Sequence, residues 1–434
     1  MRKVRDHAYI AIKDDLPTVL AKVLNTIDDK VHELLQTGEE DLTNDLKGVT
    51  RHILALKHSL ETDMTLKLLA DNEDNTKFWN ERYQRDVDAT GTQPSWFKTQ
   101  WLYAECYCYR LIHDAFAQSE HFKDFDPFEK LKQKALTDSF DAIVALLSHL
   151  ADELATIGDV NDMDALERMF VQLLEVGTWG NKCDLSLSPS LQGKQTVDPI
   201  GQAETLRPNI LVNHTGAVWK EITAANAKRP NNVRIDFILD NAGYEFFTDL
   251  CLVEFLLGRK LAHKITLRGK AKPWFISDMT PRDFKWILER LDTEAKSGKN
   301  ELLLAFVRRV RQHLETGALT FVTDMFWTLP HTFTNMPTVA PGLYGDLKNC
   351  DLVVIKGDLN YRKLVGELYW HSTTPFEIAV GAFHPCPFCA LRTVKCEVQV
   401  GLREGQAEEL QRVNPNWNLS SDYSVIQFHA GVDV

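Results

Sequence analysis

The sequence predicts an α/β protein: a Rossmann-like, doubly wound, mostly parallel sheet in an αβα sandwich, preceded by an N-terminal α-helical bundle. Three features of the 434-residue chain point there. From Val233 onward, short apolar runs alternate with amphipathic helical ones, the pattern of a parallel sheet covered on both faces. Before residue 177, apolar residues recur at helical spacing and few stretches resemble strands. Between the two, Ser186, Ser188, Pro189, Ser190, Gly193, Pro199 and Gly201 mark a stretch rich in turn residues, which reads as a long irregular connection. The expected division is a helical domain over 1–176, a connecting segment over 177–230 and a catalytic α/β domain over 231–434.

The helices follow in order. Asp15 is placed to cap a helix with Pro17 in its first turn, and Val19, Leu20, Val23, Leu24, Ile27, Val31 and Leu34 repeat at its spacing. Ile53, Leu54, Leu56, Leu60, Leu66 and Leu69 mark a second helix. An aromatic-rich run over 96–116 and runs over 140–155 and 163–174 mark three more. In the second half, 234–239, 264–267, 274–276, 319–322, 352–355 and 377–380 read as β-type runs, and 244–257, 284–291 and 302–314 as helices.

Composition narrows the function. Ten Trp and 22 Phe supply bulky core material. A net charge of −12 lacks the basic excess a broad nucleic-acid surface needs, so no nucleic-acid partner is expected. No stretch approaches the roughly 20 apolar residues of a membrane span, and Met1–Asp15 lacks the apolar core of an export signal. Eight scattered Cys then read as free thiols of a reducing compartment, the cytosol with the nucleus also open to it. Cys386-Pro387-Phe388-Cys389 is a lone C-x-x-C, better read as buried thiols than as structural zinc. P-loop, H-E-x-x-H and G-x-S-x-G signatures are absent from the sequence.

Four segments carry candidate chemistry. Phe237-Ile238-Leu239-Asp240-Asn241-Ala242-Gly243 feeds a carboxylate and an amide from a strand into a helix start. Ligands of open α/β sheets bind outside the strand carboxyl ends, and these are hard oxygen donors suited to Mg²⁺ or Mn²⁺. Alternatively, Asp240 merely caps the helix. Pro273-Trp274-Phe275-Ile276-Ser277-Asp278 repeats the design, and two neighbouring strands ending in Asp240 and Asp278 favour a metal site with open positions. Lys356-Gly357-Asp358-Leu359-Asn360-Tyr361-Arg362-Lys363 adds cations and groups for sugar hydroxyls. Leu391-Arg392-Thr393-Val394-Lys395 adds Arg392 as a bidentate phosphate donor and Lys395 as a point charge. Glu105 and Arg110, charged inside an aromatic helix, are candidates to reach the pocket.

Metal-held oxygens beside phosphate-neutralising cations describe phosphoryl transfer, with water or an Asp240 or Asp278 carboxylate as nucleophile.

Together with Trp179-Gly180-Asn181-Lys182-Cys183-Asp184-Leu185-Ser186 and Leu16-Pro17, these pieces make the chain resemble the damage-control phosphatase family, in its eukaryotic R-T-x-K branch, over nearly its whole length. That branch is also described as an acidic-residue (protein-glutamate) methyltransferase. The resemblance implies hydrolysis of small phosphorylated metabolites, sugar phosphates such as fructose 1-phosphate or fructose 6-phosphate, supported by manganese, nickel, cobalt or magnesium. It implies Asp240, Asn241 and Asp278 as metal ligands. It also implies Asp358, Leu359, Asn360, Tyr361, Arg362 and Lys395 as substrate contacts, to which Ser277, Glu105 and Arg392 are added as candidates. Glu245 would sit where S-adenosylmethionine binds in the alternative activity, whose substrate would be a protein. Cys396-Glu397 departs from the alanine and aspartate expected after Lys395, outside the tetrapeptide. Methyl transfer explains less of the pattern: Asp240–Gly243 has one Gly and spends its acid on the proposed metal. A non-catalytic scaffold explains least.

Overall fold

Parallel sheets buried on both faces need strands rich in apolar residues, and the runs ending at Ile238, Leu267, Val322 and Ile355 are of that kind. In the computed structural model, which describes residues 8–69, 71, 73–156, 162–180 and 198–431, they join a seven-stranded sheet. Its strands are β1 (Ile210–Asn213), β2 (Arg234–Ile238), β3 (Lys264–Gly269), β4 (Leu319–Thr323), β5 (Leu352–Lys356), β6 (Phe388–Thr393) and β7 (Ser424–His429). The order is β1-β7-β6-β5-β2-β3-β4. All pairs are parallel except β6–β7.

The order fixes where a ligand belongs. From β2 the chain builds outward through β3 and β4, then returns to place β5 on the other side of β2. Crossovers of one hand on either side of such a reversal lie on opposite faces of the sheet. Between β2 and β5 is therefore the switch point, where the connecting chains part and leave a crevice above the strand carboxyl ends. Register makes it level: Ile238 pairs with Ile355, so Asp240 stands opposite Gly357.

The chain forms two compact units. The larger comprises residues 131–270, 278–324 and 332–434 and holds the sheet. Its core joins Ile235, Phe237, Leu267 and Val354 to helix residues such as Phe246, Phe247, Leu250 and Leu291, all essentially solvent-free. A buried charge lattice of Asp236 with Arg268 and Arg234 ties β2 to β3. A groove of about 890 Å³ in this unit, lined by Leu147, Leu150, Phe255 and Phe306, is mainly apolar and holds only the Glu254–Arg309 pair and Arg259 as charges.

The smaller unit comprises residues 1–130, 271–277 and 325–331 and is helical. Its helices include Leu16–Thr37, Glu40–Glu61, Thr76–Thr90 and Trp101–Ala117. Trp79, Trp96, Tyr103 and Tyr107 pack with centroids 5.7–6.0 Å apart. Arg110, 1% exposed, is held by Asp71 at 2.6 Å and Asn75 at 3.0 Å, so its charge serves this core. Glu105 lies on the same helix, half-buried.

Four expectations change. The 177–230 stretch is not irregular where described: it contains a helix (Pro199–Leu206), β1 and a helix (Thr215–Lys228). The turn-forming residues misled, because Pro199 opens a helix capped by Asp198 instead of ending one. Residues 377–380 are helical, within Phe376–Ala379. Trp274–Ile276 is a turn: Phe275 and Ile276 have φ of 43° and 69°, a left-handed pair that side-chain type does not foretell. The compact units also divide at residue 130, not 176, since helices Phe140–Thr156 and Met163–Trp179 belong with the sheet. Asn181–Ser186 lie outside the described residues.

Among the described residues, no helix is long and apolar enough to cross a membrane. Cys106, Cys108, Cys251, Cys350, Cys386, Cys389 and Cys396 are buried free thiols.

Candidate active site

Two turns frame the crevice. After β2, Leu239-Asp240-Asn241-Ala242 leads to Gly243, whose φ of 88° starts the helix Tyr244–Gly258. After β5, Gly357, also at φ 88°, starts the helix Asp358–Val365. A Cβ on Gly357 would overlap the Asp240 carboxylate, so the missing side chain is what gives that carboxylate its place. Gly357→Ala is expected to destabilise the protein by about 3 kcal/mol or more, from a backbone conformation that is nearly glycine-only plus overpacking. Urea melts measure this, and an unchanged midpoint would show that Asp240 can sit elsewhere.

Asp278 reaches the same rim by a different route from the one expected. It is not the end of a strand. The segment after the 271–277 turn forms an antiparallel bridge, Asn241 to Asp278. Met279 N–H donates to Asp240 O at 2.9 Å, and Lys270 N–H donates to Met279 O at 2.8 Å. Asp240, Asn241 and Asp278 are thus brought together by main-chain bonds.

Their electrostatics are those of a site short of positive charge. Asp240 is held well above the usual carboxylate range by burial first, then by Glu245 and Asp278, with Lys395 and Lys270 pulling the other way. Burial pushes Asp278 up to about 6 against Lys270 and Lys132. Asp278 Oδ2 is buried, and among the described residues it has the Lys270 ammonium 3.4 Å away and no closer hydrogen bond. Among the described residues, no three His, Cys, Asp or Glu side chains form a metal cage. The donors here are two carboxylates and the Asn241 amide, a set that suits a hard divalent cation keeping part of its own water.

Two lysines, Lys395 and Lys270, lie close enough to Asp240 to lower its carboxyl. A narrow cleft is lined by Asp240, Glu245, Gly357, Asp358, Thr393 and Lys395, among others. Lys395 is half-buried and makes no hydrogen bond or ion pair among the described residues. Among the described residues, the Lys270 ammonium, 1% exposed, has only Asp278 Oδ2 and Asn360 Oδ1, both at 3.4 Å. Sequence reasoning missed Lys270 because it ended β3 at Leu267 instead of Gly269. Applied to the true end, the strand-terminus rule would have found it.

Other candidates are engaged internally. Arg392 donates to Asp358 at 2.7 Å, to Gln399 at 3.1 Å and to the Val398 and Cys396 carbonyls, and lies 4.4 Å from the Tyr361 ring centroid. Its guanidinium holds Asp358 in place: burial raises the Asp358 carboxyl, but Arg392 and Arg362 outweigh that and keep it low. Asn360 donates to Leu239 O and Lys356 O, tying the ends of β2 and β5 together. Tyr361 donates to Gln427 at 2.7 Å, Arg362 pairs with Glu367, and Leu359 is buried. Of Asp358–Arg362, Asp358 lines the cleft. Ser277 and Glu105 belong to the smaller unit.

Glu245 is 6% exposed, and both its oxygens are taken: Oε2 accepts from Asn241 Nδ2 at 2.8 Å, and Oε1 lies 3.3 Å from Lys356 Nζ. It offers S-adenosylmethionine no disengaged oxygen.

Comparison with known proteins decides the family. A family model described as the damage-control phosphatase ARMT1-like domain matches residues 11–410. The chain belongs to that family. It is 40% identical over 430 residues to "Damage-control phosphatase ARMT1" of Rattus norvegicus, covering 98% of this chain and 96% of that one. The Bos taurus protein of the same name is 39% identical over 433 residues, at 98% and 97% coverage. A solved DUF89 family protein from Pyrococcus horikoshii aligns with 81% of this chain and 92% of its own, at 15% identity and a TM-score of 0.36. The damage-control phosphatase family match spans the segments carrying Asp240, Asn241, Asp278, Asp358 and Lys395.

Proposed function

We propose that this protein is a divalent-metal-dependent phosphomonoesterase acting on small phosphorylated metabolites, sugar phosphates foremost. One observation carries the proposal: the buried carboxylates Asp240 and Asp278 share a rim with Lys270 and half-buried Lys395, and among the described residues no contact between these acids and these lysines is closer than the 3.4 Å Lys270–Asp278 pair. A divalent cation together with a phosphate monoester satisfies both. The relatives named damage-control phosphatase support the same class of substrate.

Asp240, Asn241 Oδ1 and Asp278 would hold the cation, which supplies Lewis-acid polarisation and charge neutralisation at the phosphoryl group. Mn²⁺, Ni²⁺, Co²⁺ and Mg²⁺ all accept such oxygen donors. The chain does the rest. Lys395 and Lys270 take up phosphoryl oxygens and meet the charge that builds on them. Asp358, held ionised by Arg392, accepts hydrogen bonds from hydroxyls of the sugar. Methyl transfer to protein carboxylates fits less well, since Glu245 is engaged by Asn241 and Lys356.

The test is phosphate release from a panel of sugar phosphates by metal-stripped protein, with each of the four ions restored in turn. Restored turnover is the expected result, and no release with any ion and substrate overturns the proposal. Lys395→Ala in the same assay is expected to lower kcat/KM about 10- to 100-fold, mainly through KM, because it removes a contact to the phosphoryl group. An unchanged KM would take Lys395 out of substrate binding.

A further inference from the structure

Asn241 has one acceptor oxygen and one NH₂ group, and which of them faces the crevice decides whether it can ligate a cation. Both amide hydrogens are committed: Nδ2 donates to Asp240 Oδ2 and to Glu245 Oε2, each at 2.8 Å. That turns Oδ1 away from the two carboxylates. Glu245 follows Asn241 by four residues, in the first turn of the helix Tyr244–Gly258, and its other oxygen faces Lys356. Lys356 Nζ has three donors and three acceptors here: Asp249 Oδ1 at 2.7 Å, Gly177 O at 2.7 Å and Glu245 Oε1 at 3.3 Å. Asp249 follows Glu245 by four residues, on the same face of the helix. The end of helix Met163–Trp179 presses on Glu245 so closely that a Cβ at Gly180 would lie 2.9 Å from the Glu245 Cα. Glu245 therefore has little room for another rotamer.

We infer that Glu245, locked by Lys356 and Asp249, is a positioning residue that fixes the Asn241 amide with its oxygen toward the cation, rather than a cofactor ligand. The inference rests on the proposal that Asn241 holds the metal. Without Glu245 the amide can turn over and present NH₂, which repels a cation. Partners that orient a metal ligand are typically worth 10- to 100-fold in affinity.

The experiment is calorimetric titration of metal-stripped protein with Mn²⁺, alongside thermal melts of the metal-free forms. Glu245→Ala is expected to weaken Mn²⁺ binding about 10- to 100-fold. Glu245→Gln keeps a carbonyl oxygen for Asn241 while Lys356 keeps Asp249 and Gly177, so its affinity should stay within about threefold of wild type. If the alanine variant does not fold, Glu245→Met, close in volume and without oxygens, takes its place. Wild-type affinity in Glu245→Ala or Glu245→Met overturns the inference. So does equal loss in Glu245→Gln, which would make the charge of Glu245, not its hydrogen bond, the quantity that matters. Absence of Mn²⁺ binding by the wild-type protein would instead remove the metal site itself.

Discussion

Asp240→Asn is expected to abolish metal-restored phosphate release, by about 10³-fold or more, while the metal-free variant melts at a higher temperature than wild type near pH 7. The loss follows from removing a charged ligand whose contribution is several kcal/mol of transition-state stabilisation, with each 1.36 kcal/mol worth tenfold. The gain follows from electrostatics. Asp240 carries a carboxyl raised by burial and by the neighbouring Glu245 and Asp278, so its ionised form costs the empty fold energy. A carboxyl raised by folding favours the native state at low pH, and that contribution is lost as pH rises through the folded value. For Asp278 the loss falls between the unfolded value, about 4, and about 6. Metal-free wild type should therefore lose stability over that interval, and Asp240→Asn should lose less. Metal reverses the trend, because cations compete with protons for the same oxygens, so metal-supported activity should fall on acidification below about pH 6. Melts in chelator from pH 4 to 8 and phosphate release over the same range measure both. Retained activity removes Asp240 from the site. A lower melting temperature at pH 7 would mean that its negative charge stabilises the empty protein.

How much of this was legible in the sequence depended on what each residue type can announce. The strand-to-helix passage at Asp240–Gly243 was readable because an apolar run, a polar pair and a glycine each carry a physical meaning. Gly357 was readable as a close approach, though not what it approaches. Asp278 was legible as an acid near the rim, but its route was not. Phe275 and Ile276 have β-favouring side chains, and their left-handed backbone comes from tertiary context. β1 was hidden because Ile210–Asn213 is short and set beside Pro208 and asparagines, and β6 and β7 because Arg392, Gln427 and His429 interrupt their apolar residues. Arg392 shows the sharper limit. Sequence gives the charge of a guanidinium but not its partners, and here those are Asp358, Gln399 and two carbonyls. Lys395, with the same apparent role, has none among the described residues.

The second large effect is expected at Lys270. A fully buried ammonium normally meets three good acceptors, and Lys356 in this same protein does so, with two of them at 2.7 Å. Lys270 has two acceptors among the described residues, each at 3.4 Å, and main-chain bonding to Met279 fixes where its side chain starts. The cost of burying such a charge is recovered only when an anion arrives. A phosphoryl group bound between Lys395 and Asp240 would supply it. The gain would grow as charge builds on the phosphoryl oxygens, which makes it a transition-state interaction. Lys270→Met is therefore expected to lower kcat about 10²- to 10³-fold with a smaller change in KM, the size seen when one preorganised donor is removed. Lys395→Ala, at a half-exposed position, should act mainly on KM. Steady-state kinetics of the two variants with one sugar phosphate and saturating Mn²⁺ separates the roles. If Lys270→Met changes KM alone, its ammonium binds substrate and transition state equally. If neither parameter moves, Lys270 only offsets the charge of Asp278, and its loss should then appear as a change in Mn²⁺ affinity.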